Sequence, residues 1–155
     1  NKFEMKILLT LFILFFSSSV VADEDEISLL NSSGDAVVYI DLDDDDLAIY
    51  TWDGDANAYL DGSLKDFLLG KTIDVYGWNG KHLGWYFDGI LMNHVGDASC
   101  SIREKHPNPK VEYVKYVKYV QYVKYVQYVG PAKPSFSGRF GGTDCLSLIK
   151  SGSVG

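Results

Sequence analysis

Apolar positions follow three patterns along the chain. Ile7 to Phe16 form a run broken only by Thr10. Residues 27–102 carry short stretches rich in Tyr, Trp, Ile and Val, punctuated by glycines. Residues 113–129 repeat strictly every three positions. Each pattern predicts a different kind of element.

The first predicts a secretory leader. Lys6 precedes the apolar run, and Ser17-Ser18-Ser19 and Val20-Val21-Ala22 follow it. A basic start, a short apolar core and a small-residue end are the parts of a cleavable signal. The run is too short for a stable bilayer-spanning helix. Residues 1–22 are therefore expected to be removed, with no transmembrane anchor left. Export follows, to a periplasmic, cell-surface or secreted location.

The second pattern is an internal repeat. Aligning Gly34, Gly54, Gly80 and Gly96 brings Leu29, Ile49, Val75 and Leu91 into one column. The next column holds Leu30, Tyr50, Tyr76 and Met92. Two residues before the glycine stand Ser32, Trp52, Trp78 and His94. Five after it stand Tyr39, Tyr59, Trp85 and Ser101, followed by Ile40, Leu60, Tyr86 and Ile102. Asp53-Gly54 and Asn79-Gly80 predict two-residue type I′ hairpin turns, which need positive φ at both positions. Val95 resists positive φ, so a different turn is expected at Gly96. The flanking residues suit a pleated, half-buried surface. One hairpin is marginal in water, whereas four around an axis bury each other's faces. The expected fold is mainly β, with four pseudo-repeated hairpins around a central axis. One short helix is expected near 64–69, with Ser63 as N-cap, Asp66 three residues on and Gly70 as the stop. An extended C-terminal tail completes the architecture.

YTWDG at 50–54 and YGWNGKHLGWYFDG at 76–89 carry a resemblance. With the two weaker copies, residues 27–102 resemble the bacterial four-fold β-flower domain. That resemblance implies the fold, a secreted or uncharacterised bacterial setting and often a tail of three-residue repeats. It implies no established activity and no catalytic residues. GWYFDG at 84–89 is also similar to the aromatic–glycine units of choline-binding cell-wall repeats, although those are evenly spaced.

The third pattern reads YVKYVKYVQYVKYVQYV. A three-residue period spreads each residue type all round an α-helix. It alternates the faces of a strand, and only polyproline II keeps three clean columns. An extended segment is expected, β or polyproline-like, bounded by Pro107 and Pro109 before it and Gly130, Pro131 and Pro134 after it. It reads either as a spacer made by expansion of a short coding repeat or as a strand for a partner or for copies of itself. The chain thus divides into 1–22 leader, 23–102 four-hairpin domain, 103–112 linker, 113–129 triplet run and 130–155 Gly/Pro/Ser-rich tail.

Charge sharpens this division. The formal net charge of −7 hides −14 over residues 23–102 and +6 over 103–155. Opposed blocks either attract each other or serve separate partners. Asp41 and Asp43–Asp46 lack the spacing of a calcium loop. Asp43 and Asp45 are weak metal candidates, a solvated acidic loop is the plainer reading, and a dock for the lysine-bearing tail is a third. Cys100 and Cys145 either pair, as an even count in an exported chain allows, or remain thiols.

His82, His94 and His106 show no ligand spacing. Asp74 and Asp88 lie near aromatics without a defined cleft, and no catalytic motif is present. No catalytic residue, cofactor or nucleic-acid partner is expected. Trp52, Trp78, Trp85 and Tyr86 read as hairpin core or, alternatively, as a stacking surface for sugar or choline-type cations. Two functions remain open. One is a non-catalytic exported protein with a structural or interaction role at the cell envelope, self-association through 113–129 included. The other is a carbohydrate- or choline-type ligand-binding module.

Overall fold

The computed structural model describes residues 25–155, so the expected leader lies outside the described residues. Eight antiparallel strands close into a barrel in chain order. They are β1 Glu26–Leu30, β2 Ala36–Asp41, β3 Ala48–Thr51, β4 Ala56–Asp61, β5 Ile73–Gly77, β6 His82–Phe87, β7 Ile90–Met92 and β8 Ala98–Ser101. Paired in sequence, they are the four expected hairpins.

The repeat is visible in the hydrogen bonding. Every hairpin shifts register at the same place, between Leu29/Leu30, Ile49/Tyr50, Val75/Tyr76 and Leu91/Met92. A bulge flips the alternation of faces and bends the strand. Leu29, Ile49, Val75 and Leu91 therefore all point into the aliphatic interior. Tyr50, one residue later, joins Tyr39, Tyr59 and Trp78 in a separate aromatic layer.

The turns correct the sequence expectation. In each hairpin the glycine N–H reaches the carbonyl three residues back, Gly54 to Thr51 at 2.9 Å and Gly80 to Gly77 at 2.9 Å. Thr51 N in turn donates to Asp55 O. These are three-residue loops, a type I turn followed by a left-handed glycine, not two-residue I′ turns. Gly34, Gly54, Gly80 and Gly96 have φ between 88° and 98°, whereas Asp53 and Asn79 are not at positive φ. Val95 therefore meets no obstacle, and the Gly96 turn matches the other three.

Helix α1, Leu64–Leu68, carries the anticipated cap. Ser63 Oγ accepts from Asp66 N, Asp66 Oδ2 accepts from Ser63 N, and Gly70 follows at φ 73°. The Ser63 backbone N–H first, then the Lys71 ammonium at 3.0 Å, hold the Asp66 carboxyl down to about 2. A second helix, α2 at Cys145–Lys150, lies in the expected irregular tail. Asp144 caps it, accepting from Ser147 N, and Ile149, Leu148 and Cys145 enter the interior cluster. Cys145 forms a disulfide with Cys100 of β8.

Barrel closure is thin, since β1 meets β8 through the single pair Leu30–Ser101. Phe140 covers more of the same strand by a parallel bridge to Ala98. Arg139 O accepts from Ala98 N, and Ala98 O from Gly141 N.

Candidate interaction surface

The chain leaves β8, runs once round the outside of the barrel and returns to β8 at Phe140. This belt passes the four hairpin tips in order. The carbonyls of Asn108, Val117, Val126 and Ser135 lie over Gly34, Gly54, Gly80 and Gly96. Lys110, Tyr119, Tyr128 and Ser137 donate their N–H groups to the carbonyls of the same four glycines, at 2.9–3.0 Å. Both series advance by nine residues, three triplets per hairpin. A Cβ on any of these glycines would overlap the belt carbonyl above it. The glycines are thus required twice, by positive φ and by close approach.

Hairpins two and three grip the belt further. Trp52 Nε1 donates to Tyr113 O at 3.1 Å, and Trp52 O accepts from Tyr116 N at 3.0 Å. Nine residues on, Trp78 Nε1 donates to Tyr122 O and Trp78 O accepts from Tyr125 N. Ser32 and His94 replace Trp in hairpins one and four. The belt positions that would donate there are Pro107 and Pro134, which have no N–H.

The belt has no ladder hydrogen bonds, and every third side chain turns to the barrel, the period of polyproline II. Lys115 and Lys118 meet Glu26, and Lys118 also meets Asp41 at 2.8 Å. Gln121 reaches Asp44 and Tyr50, Lys124 meets Asp46, and Gln127 reaches Tyr59. The acidic stretch at 41–46 is thus a dock for the lysines. Ammonium groups also sit over aromatic faces, Lys115 at 4.4 Å from the Tyr39 ring and Lys124 at 4.5 Å from Tyr59. The Tyr and Val columns face outward, from 53% exposed at Tyr125 to 99% at Val129.

Electrostatics follow this geometry. Burial opposes charge on Glu26, but its bonds to Lys115 and Lys118 outweigh it and hold the carboxyl below its ordinary 4.5. Burial also opposes the charge of Lys118, yet Asp41 and Glu26 raise its pKa well above the ordinary value. Burial, reinforced by Glu26, pushes Tyr39 up to about 12.

The residues singled out from sequence scatter over this arrangement. Trp78, Trp85 and Tyr86 are buried, and Trp52 is half-buried under the belt. Edge-to-face pairs recur round the barrel as Tyr39–Trp52 and Tyr59–Trp78, with His94 replacing Trp in the pair with Trp85. Tyr86 lies apart, stacked on Phe67 of α1, with burial pushing its hydroxyl up to about 12. Asp43 N donates to Asp41 Oδ1, and Asp45 lies in the same turn. Among the described residues, no three His, Cys, Asp or Glu side chains gather as metal ligands.

His82 bridges Asp74 at 2.8 Å and His94 at 2.9 Å, a line that sequence spacing missed because it crosses three elements. Burial, then the facing His82, lowers the pKa of His94. Docking of the lysines on the acidic stretch was one of the sequence readings, but the contacts of Lys115 and Lys118 with Glu26 and the inward roles of Gln121 and Gln127 were missed. Their signal was the polar third column of the run.

A hollow of about 600 Å3 near α1 is lined by Tyr86, Phe67 and several charged residues. Its cations and anions are largely paired already, as Lys105–Asp88, Arg103–Glu112 and Lys115–Glu26.

Residues 27–149 match the family described as 4-fold beta flower protein, which reaches past the barrel and belt into α2. No curated protein and no solved structure matches the chain.

Proposed function

Because the chain belongs to the 4-fold beta flower protein family, whose name describes a fold and no reaction, we propose that it is an exported, non-catalytic protein with a structural or interaction role at the bacterial cell envelope. The carrying observation is the division of labour in the belt. Its lysines and glutamines turn inward to carboxylates and phenols, and a continuous Tyr–Val stripe is left outward. Large exposed apolar patches mark interaction sites. The disulfide suits an oxidising compartment. No helix among the described residues is long and apolar enough to cross a membrane.

Fractionation of cells expressing the full tagged chain tests this reading. The protein is expected outside the cytoplasm, with Cys100 and Cys145 protected from alkylation. Outward changes such as Val120→Lys with Val126→Lys should leave the melting temperature unchanged and release the protein from the envelope fraction. Cytoplasmic retention with alkylatable thiols would overturn it.

One observation favours a second reading, a ligand-binding module. The aromatic faces of Tyr39, Trp52, Tyr59 and Trp78 already accept ammonium groups, the chemistry of a choline-type cation. Such a ligand would have to displace the belt lysines, and a choline titration followed by Trp fluorescence reads that displacement.

A further inference from the structure

The triplet run and the two Trp-bearing hairpins coincide in extent. The run begins at Tyr113, whose carbonyl meets Trp52, and ends one residue past Tyr128, whose N–H meets Gly80. The tips of hairpins one and four, which lack Trp, face belt segments outside the run, while the strands of hairpin one receive Lys115 and Lys118 through Glu26, Tyr39 and Asp41. Within the run, each Trp-bearing hairpin makes the same four backbone contacts. A Trp Nε1–H meets one carbonyl, the Trp carbonyl meets the N–H three residues on, the glycine lies under the next carbonyl, and the glycine carbonyl meets the N–H two residues later. Trp donors set against the backbone of an extended three-fold peptide are the chemistry by which aromatic grooves hold polyproline II ligands.

The side chains that are read belong to the polar column. Lys115 and Lys124 occupy equivalent places over Tyr39 and Tyr59. Lys118 and Gln127, the next equivalent pair, reach Asp41 and Tyr59. The Tyr and Val side chains project away from the barrel. A groove that reads the backbone and every third residue accepts the run in any triplet frame. It does not distinguish the chain's own run from an identical run on another molecule.

We propose that the Trp-bearing tips of hairpins two and three, with the outer face of hairpin one, form a binding groove for an extended peptide with Lys or Gln at every third position. The belt is its resident ligand, and the partner is the same run of a second copy of this chain. This goes beyond the interaction reading above, which rests on the outward Tyr–Val stripe, by assigning a partner to the inward polar column. Its test uses purified protein, so it succeeds or fails independently of cellular location.

The probe is a dye-labelled synthetic peptide of residues 113–129. The receptor is the full chain carrying Lys115→Glu, Lys118→Glu and Lys124→Glu, which sets the resident run against Glu26, Asp41 and Asp46. By fluorescence anisotropy the peptide should bind this variant at least tenfold more tightly than wild type, whose groove is filled. Adding Trp52→Phe and Trp78→Phe should reverse that gain. Absence of binding to a variant with an intact disulfide and native near-ultraviolet dichroism would overturn the proposal. So would equal binding of a Lys→Glu peptide, or of a proline-rich peptide of the same length.

If the triple variant does not fold, wild type supplies the answer. A tethered ligand competes at an effective concentration of order millimolar. Peptide at several millimolar should therefore accelerate hydrogen exchange at Tyr116, Tyr119, Tyr125 and Tyr128 together, each of which bonds to a hairpin. Exchange unchanged at saturating peptide would overturn it.

Discussion

The barrel and the belt share one four-fold repeat but are held by different forces. Inside the barrel, Leu29, Ile49, Val75 and Leu91 are fully buried. Truncating such a residue to Ala costs about 2–5 kcal/mol. The belt buries no side chain of its triplet run. It rests on backbone hydrogen bonds, each worth about 0.5–1.5 kcal/mol net, and on half-exposed ion pairs worth about 0–1 kcal/mol. The belt should therefore open before the barrel, and its opening should respond to pH and salt. A repeated geometry does not imply a uniform stability.

Three perturbations break or sharpen that contrast. The largest is loss of the Cys100–Cys145 link, the covalent tie between β8 and the end of the belt. Closing a loop of 45 residues contributes about 4 kcal/mol in the chain-entropy model. Cys100→Ser with Cys145→Ser should lower stability by about that amount in denaturant melts. Amides of 110–137 should lose protection before those of the strands. Simultaneous loss would mean that belt and barrel form one cooperative unit.

The second compares two glycines. Gly70 and Gly54 both have positive φ, but a Cβ on Gly70 meets nothing within 4 Å, whereas one on Gly54 meets Val117 O. Gly70→Ala should cost about 1–2 kcal/mol, the left-handed penalty alone. Gly54→Ala should cost more and accelerate exchange at Tyr116 and Tyr119. Equal costs would show that the belt yields freely.

The smallest is acid. The His94 pKa is lowered by folding, so its neutral form is favoured in the folded state. Its contribution is complete above the unfolded value, near 6.5, and is lost as pH falls through the folded value. Gly130 of the belt packs on the His82 ring beside His94, so loosening should begin there. Glu26, also lowered, contributes above 4.5 and loses that contribution at lower pH as its folded pKa is passed. Amide exchange measured at pH 7, 5.5 and 4 should show release near 130–136 before release near 115–118. The reverse order would contradict the assignment of these contacts.

Much of the barrel was legible in the sequence because its signals are local. The apolar column at Leu29, Ile49, Val75 and Leu91 and the cap at Ser63–Asp66 depend on neighbours in the chain. The turn type was not legible. Asp-Gly and Asn-Gly serve either a two-residue turn or the end of a three-residue one, and the choice depends on the cross-strand register. Helix α2 was hidden because its apolar residues Leu146, Leu148 and Ile149 stand amid Gly and Ser, although Asp144 and Gly152 mark its ends. The belt was seen as a three-residue period but not as a nine-residue one. Glycine spacings of 20, 26 and 16 along the chain conceal tips that are regularly disposed in space. Only the closed barrel converts those unequal spacings into equal arcs.

The nine-residue step makes the barrel a gauge of tail length. A coding repeat that gains or loses one Tyr-Val-Lys unit keeps the triplet pattern and the local conformation, but the chain no longer fits the circumference. A surplus triplet must stand off as a loop between two tips. A missing one must be drawn from the stretches around Pro107 or Pro134, or from the connection to Cys145. Tail length is then a selectable trait, measured against a fixed perimeter that the tail itself does not encode.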